Sequence, residues 1–222
     1  MWSNDLAEEL HAPIRRNFKK RRVIARGVDD IWAIDLIDMQ EFASDNNNYK
    51  YLLSVIDIVS KYAWVLPLKN KSGIETTKAF KEILSERNPN KVWADDGKEF
   101  WNKKFREVAP ALYSTQNEEK SCVVERFNRT LKSMIWKYFT ANNTRRYVDV
   151  LGELVNRYNN TKHSSIKMTP VEAVANPSMA YLNLYDDVIH DTSEIPVPKF
   201  HIGDRVRISK KKRTFEKGFT PN

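Results

Sequence analysis

Residues 31–38 read Ile-Trp-Ala-Ile-Asp-Leu-Ile-Asp, and apart from the two aspartates the run is apolar at both alternating sets of positions. That is the pattern of a strand covered on both faces. A charge inside such a strand is costly unless it is paired or binds a cation, so Asp35 needs a partner from elsewhere in the chain. Outward from this strand, the polar run Ser44-Asp45-Asn46-Asn47-Asn48 marks a turn. The apolar pattern of residues 30–42 then returns at Tyr49–Val59 and again at Tyr62–Leu68, which predicts a three-stranded antiparallel meander. Ser72 suits the N-cap of a helix with Ile74, Thr77, Phe80, Ile83 and Leu84 on one face, and Lys91–Ala94 suits a short buried strand running into Asp95. A meander followed by alternating helix and strand predicts an α/β fold, a mixed sheet with helices on both faces.

Helical patterning dominates the second half. From Ser121 to Thr140, the residues Val124, Phe127, Leu131, Met134, Ile135 and Tyr138 recur at helical spacing and form the expected core face. Glu125, Asn128, Arg129 and Lys132 fall on a separate stripe of the same helix. Residues 145–160 predict a further amphipathic helix, and Thr169-Pro170 begins another through Val174. Between Phe105 and Leu112 little helix fits before Pro110, and a fifth strand is expected near Leu112–Thr115. Pro177 and Ile195-Pro196-Val197-Pro198 punctuate a linker, after which Phe200–Ser209 alternates as a strand with a turn at Gly203-Asp204.

The 222 residues, 41% of them hydrophobic, suffice for one sizeable core and a small appendage. No apolar run is long enough for a membrane span and no signal peptide is recognisable, so no membrane partner is expected. The single cysteine, Cys122, leaves no internal disulfide framework and points to a reducing compartment. The net charge of +8 is unevenly distributed: residues 1–26 carry +4 and residues 199–222 carry +6, leaving −2 for the middle. Clusters such as Lys19-Lys20-Arg21-Arg22 and Lys210-Lys211-Lys212-Arg213 suit sequence-independent phosphate contacts, although a solubilising or nuclear-targeting tail would read the same way.

Three carboxylates stand out for chemistry: Asp35, Asp95 at the end of the 91–94 strand, and Glu125 at the start of the long helix. Without a cysteine or histidine cluster beside them they offer hard oxygen ligands of the kind Mg²⁺ or Mn²⁺ prefers. Taken singly, each has a plainer reading: Asp35 satisfied by backbone amides, Asp95-Asp96-Gly97 a turn, Glu125 a solvated helix residue. Asp38 falls on the opposite strand face from Asp35, and both Asp38 and Asp57 are weaker candidates, read as structural or as supporting the site from behind its ligands. His163 has no second histidine or cysteine nearby and suits a loop. Trp32, Trp64, Trp93 and Trp136 suit packing, and the Gln116–Lys120 run suits a polar loop beside the site.

The segments WAIDLID, WADDGKEF and VVERFNRTLK, with RYNNTKHSSIKMTPVEAV and FHIGDRVRISKKKRTFEKGFTPN after them, resemble retroviral-type integrases. They are most similar to the integrase-like proteins of Polinton or Maverick DNA transposons. The resemblance runs from about Val28 to the C-terminus. It implies a ribonuclease H-like fold with C-terminal helices and an incomplete SH3-like β segment. It divides the chain into a basic arm (1–27), a catalytic core (28–176), a linker (177–198) and the start of an SH3-like segment (199–222). It further implies a nuclear DNA strand transferase acting as a homo-oligomer on transposon ends and target DNA. Asp35, Asp95 and Glu125 would hold two Mg²⁺ or Mn²⁺ ions, with Asp35 bridging. Asn128, Arg129, Lys132 and Lys210–Arg213 would contact DNA.

Two departures keep other readings open. Only 29 residues separate Asp95 from Glu125, fewer than is usual in that family. The four histidines and lone cysteine offer no paired zinc-ligand spacing for the N-terminal zinc domain many integrases carry. A catalytically silent DNA-binding protein of the same fold therefore remains an alternative. So does a ribonuclease H-like nuclease, which the VVERFNRTLK and TPVEA segments disfavour.

Overall fold

The computed structural model describes residues 23–114, 122–189 and 201–205. The chain divides into two units, Val23–Asp191 and a second made from its two ends. Of the second unit only the turn at 201–205 is described, where Asp204 accepts a 2.8 Å hydrogen bond from the His201 amide and Gly203 adopts φ +102°. The basic clusters and the rest of the SH3-like segment lie outside the described residues.

The larger unit is built on a four-stranded sheet ordered β3-β2-β1-β4. Its strands are β1 (Ile31–Asp38), β2 (Tyr51–Asp57), β3 (Ala63–Leu68) and β4 (Lys91–Ala94). The first three form the expected antiparallel meander, while β4 runs parallel to β1 with Ile34 opposite Ala94. Beyond the sheet the helices are α1 (Gly73–Leu84), α2 (Lys103–Arg106), α3 (Cys122–Asn142), α4 (Leu151–Asn159), α5 (Pro170–Ala175) and α6 (Pro177–Ile189).

Period-two alternation sorts β1 into two cores. Trp32 and Ile34 join Phe80, Ile83 and Phe105 of α1 and α2 on one face. Ala33 and Ile37 join Val124, Phe127, Leu131 and Ile135 of α3, with Tyr158 and Ala173, on the other. Both faces of β1 are therefore covered from Ile31 to Ile34 and at Ile37, while Asp35 and Leu36 are half-buried and Asp38 is exposed.

Local chemistry sets the helix ends. The Ser72 hydroxyl caps α1 by accepting from the Glu75 amide, and Asn102 caps α2 through the Phe105 amide. Helix α5 starts with a capping box, Thr169 and Glu172 each accepting from the other's backbone, with Pro170 at the first helical position. Helix α3 stops at Asn143, whose φ of +47° suits asparagine after a C-terminus, and the Thr144 amide returns to the Phe139 carbonyl.

Two buried asparagines join distant parts of this unit. Asn46 accepts from the Tyr147 and Val148 amides at 2.7 and 3.0 Å and donates to the Phe42 and Arg145 carbonyls at 2.7 and 2.9 Å. Asn159 bonds both the amide and the carbonyl of Ala63 at 2.9 Å, fastening α4 to the outer edge of β3. Bonded at both ends of its amide, each stabilises its junction; stripped of partners, a buried amide would cost roughly 1–3 kcal/mol. On the far edge of the sheet, the Val92 amide donates to the Pro110 carbonyl, and Tyr113 exchanges hydrogen bonds with Val92 and Ala94.

Two expectations need correction. The stretch 177–198 is not a plain linker, because its first thirteen residues form α6. Proline at the first helical position gives up an amide that needs no intrahelical partner. Ala180 and Tyr185 are buried, and the Tyr185 hydroxyl accepts from the Ala25 amide and donates to the Val23 carbonyl. Among the described residues the expected fifth strand is a single parallel bridge between Trp93 and Tyr113, following Pro110 and Ala111 at φ +36°.

Asp57 is read correctly as structural. Fully buried, it accepts from the Val59 and Ser60 amides at 2.7 and 2.8 Å and lies 3.7 Å from the Arg87 guanidinium, while burial raises its pKa. In the following turn Lys61 sits at φ +60° and donates to the Ile58 carbonyl at 2.6 Å. Burial brings its ammonium down to about 8, opposed by the attraction of Asp57 and Cys122 and assisted by Arg126. The unfolded chain holds that proton up to the ordinary lysine range, so between about pH 8 and 10 the unfolded state binds more protons and Lys61 makes stability rise with pH. Denaturant titrations across this range are expected to show a steeper rise for the wild type than for Lys61→Met. Equal slopes would mean the ammonium is solvated.

Candidate active site

Asp35 is half-buried on β1, opposite Ser54, whose hydroxyl donates to its main-chain carbonyl at 3.2 Å. Its Oδ1 accepts from the Leu36 amide at 2.8 Å, and its Oδ2 accepts from the Asn128 side-chain amide of α3 at 2.8 Å. The partner that the charge in this strand requires thus comes from a helix ninety-three residues away. The Oδ1 of Asn128 is buried and accepts no hydrogen bond among the described residues.

Asp95 follows β4 directly and is exposed. The parallel register ends with Ile34 opposite Ala94, so Asp35 and Asp95 are the residues that directly follow the last pair. Trp93 lies in the core under α3 whereas Val92 and Ala94 lie in the opposite one, and Asp95 follows where the strand ends. Asp38 lies on the other face and accepts from the amide and side chain of Gln40.

Glu125 is exposed in the first turn of α3, one turn before Asn128, and Arg129 and Lys132 are exposed on the same stripe. The stripe read from the sequence therefore crosses Asp35 through Asn128, the member engaged with protein rather than directed outward. Among the described residues no three Asp, Glu, His or Cys side chains gather into a set able to hold a metal. The residue types are nonetheless suited to a hard cation: the carboxylates of Asp35, Asp95 and Glu125, and the Asn128 amide oxygen, which accepts no hydrogen bond among the described residues. His163 takes no part. Its ring packs edge-on against Tyr158, 4.6 Å between centroids, and burial lowers its pKa.

Two contacts at the Asp95 turn were not read from the sequence. The Trp101 indole donates to the Asp95 carbonyl at 2.9 Å, and the Ser114 hydroxyl donates to the Asp96 carboxylate. Asn102 following an apolar pair marks a helix start, which is a signal for the turn but not for the indole's target. The loop read at Gln116–Lys120 and the cations Lys210–Arg213 lie outside the described residues.

No protein-family model matches the chain. It is 36% identical over 193 residues to a transposon-derived protein of Caenorhabditis elegans, an alignment covering 82% of this chain and 62% of that protein. It is 28% identical over 174 residues to the Pol polyprotein of Radiation murine leukemia virus (strain Kaplan), covering 75% of this chain and 30% of the polyprotein. The chain thus spans less than two thirds of the length of either relative. Two structures of the HTLV-2 integrase catalytic core domain in complex with magnesium, a trimeric and a dimeric form, superpose with a TM-score of 0.55 at 19% identity. They cover 67% of this chain and 98% and 97% of the respective cores. The fold is that of an integrase catalytic core, ribonuclease H-like, and the sequence similarities support an integrase-like domain.

Proposed function

We propose that the chain is an integrase-like polynucleotidyl transferase of the transposon kind, processing DNA ends and joining them to target DNA. The observation that carries this reading is that Asp35 and Asp95 directly follow the Ile34–Ala94 pair of two parallel neighbouring strands, with Asn128 of α3 hydrogen-bonded to Asp35. Asp35, Asp95 and Glu125 would hold Mg²⁺ or Mn²⁺. When bound, such ions would activate an attacking oxygen and stabilise the leaving one at phosphorus. Arg129 and Lys132, exposed beyond Asn128, would neutralise DNA phosphates near the carboxylates. The unpartnered Asn128 carbonyl supports a further polar contact at Asp35. DNA ends and target, a second copy of the chain and a nuclear site of action belong to the same proposal. The short interval between Asp95 and Glu125, with α2 only four residues long, favours the silent DNA-binding alternative.

Calorimetric titration with Mn²⁺ separates the two. The transferase reading expects binding that Asp35→Asn and Glu125→Gln each weaken about tenfold or more by removing an anionic ligand. It also expects strand transfer on oligonucleotides carrying the element's terminal repeats to be lost in both variants. DNA binding without metal binding in the wild type would leave the silent reading standing.

For DNA, replacing Arg129 and Lys132 by alanine is expected to flatten the logarithmic salt dependence of binding by roughly 0.9 per lost phosphate contact, and replacing Lys210, Lys211, Lys212 and Arg213 to do the same. Fluorescence anisotropy over a salt series measures this, and an unchanged slope would assign those cations to solvent.

A further inference from the structure

Asp95 stands one residue outside the β-ladder, where the sheet no longer holds its backbone. Its main-chain carbonyl is instead the acceptor of the Trp101 indole N–H, at 2.9 Å. The amides of Phe100 and Trp101 both turn back onto the Gly97 carbonyl at 3.0 Å, closing the loop that brings the indole within reach. Of that adjacent pair, Phe100 is fully buried and does the packing, whereas Trp101 is only half-buried. Phenylalanine would fill that half-buried position as well; the polar edge that distinguishes tryptophan is the one aimed at Asp95. The ring is itself held from α2, whose Arg106 guanidinium lies 4.8 Å from the ring centroid, a cation–π distance. On the other side of the turn the Ser114 hydroxyl holds the Asp96 carboxylate.

We infer that Trp101 is a positioning residue for Asp95: its indole fixes the strand-end backbone, with Arg106 fixing the indole, so that the Asp95 carboxylate is presented beside Asp35. The four residues of α2 are enough for this, because Arg106 already reaches the ring from the last of them. The shortened interval then removes helix that this turn does not need. The inference rests on the reading of Asp95 as a site carboxylate.

Trp101→Phe removes the donor and keeps the ring. Its expected signature is amide order parameters that fall at Asp95, Asp96 and Gly97 by NMR relaxation, thermal stability close to that of the wild type, and Mn²⁺ affinity reduced roughly tenfold, as for loss of a group that orients a ligand. Arg106→Gln, which leaves the indole in place, is expected to produce a weaker version of the same changes. Unchanged order at Asp95–Gly97 in Trp101→Phe would overturn the inference, as would Mn²⁺ affinity that falls only in step with stability. A wild type that binds no Mn²⁺ would remove the metal reading of Asp95 and with it the role proposed here, whereas the order parameters alone would then report a structural clamp.

Discussion

A carboxylate in the middle of a strand buried on both faces constrains everything placed above it. Asp35 is half-buried there, and the helix crossing β1 delivers a polar group to it, the Asn128 side-chain amide. That contact fixes the rotation of α3 about its own axis. With Asn128 over Asp35, Val124, Phe127, Leu131 and Ile135 turn into the core, and Arg129 and Lys132 turn to solvent. A rotation by one residue would turn Arg126 or Lys132 into the core, which the cost of desolvating charge disfavours.

The asparagines at the ends of this arrangement serve a different purpose. Asn46 and Asn159 are buried and bonded through both ends of their amides to backbone groups far away in sequence. A side chain with two donors and two acceptor lone pairs can replace a missing stretch of secondary structure at a junction. Here they tie the β1–β2 connection to the loop after α3, and α4 to β3, so the C-terminal helices share the rigidity of the sheet that carries Asp35.

Much of this was legible in the sequence. The meander, α1 with its Ser72 cap, β4 and the two-faced α3 follow from local periodicity and capping chemistry, which act over a few residues. The stripe of Glu125, Asn128, Arg129 and Lys132 was legible as a stripe, and Asp35 as a charge needing a partner. That Asn128 is the partner was not, because the contact depends on the lateral offset between α3 and β1. The Trp101 indole and the Ser114 hydroxyl escaped for a similar reason: each reaches a turn whose shape is set by tertiary packing. Helix α6 was hidden by Pro177, which interrupts a helix in its interior and starts one at its first position.

The treatment of the two sheet margins has a consequence for how copies of this domain can meet. Ala63, Val65 and Pro67 are the residues of β3 whose backbone faces outward, since Ala63 bonds outward to Asn159 and the direction alternates. Asn159 occupies the first, proline has no N–H at the last, and Val65 alone keeps an outward amide that neither feature removes. Along β4, the chain from Pro110 to Tyr113 occupies the equivalent groups. Among the described residues, part of each margin is thus already occupied or lacks a donor. Strand addition at these positions is thereby discouraged.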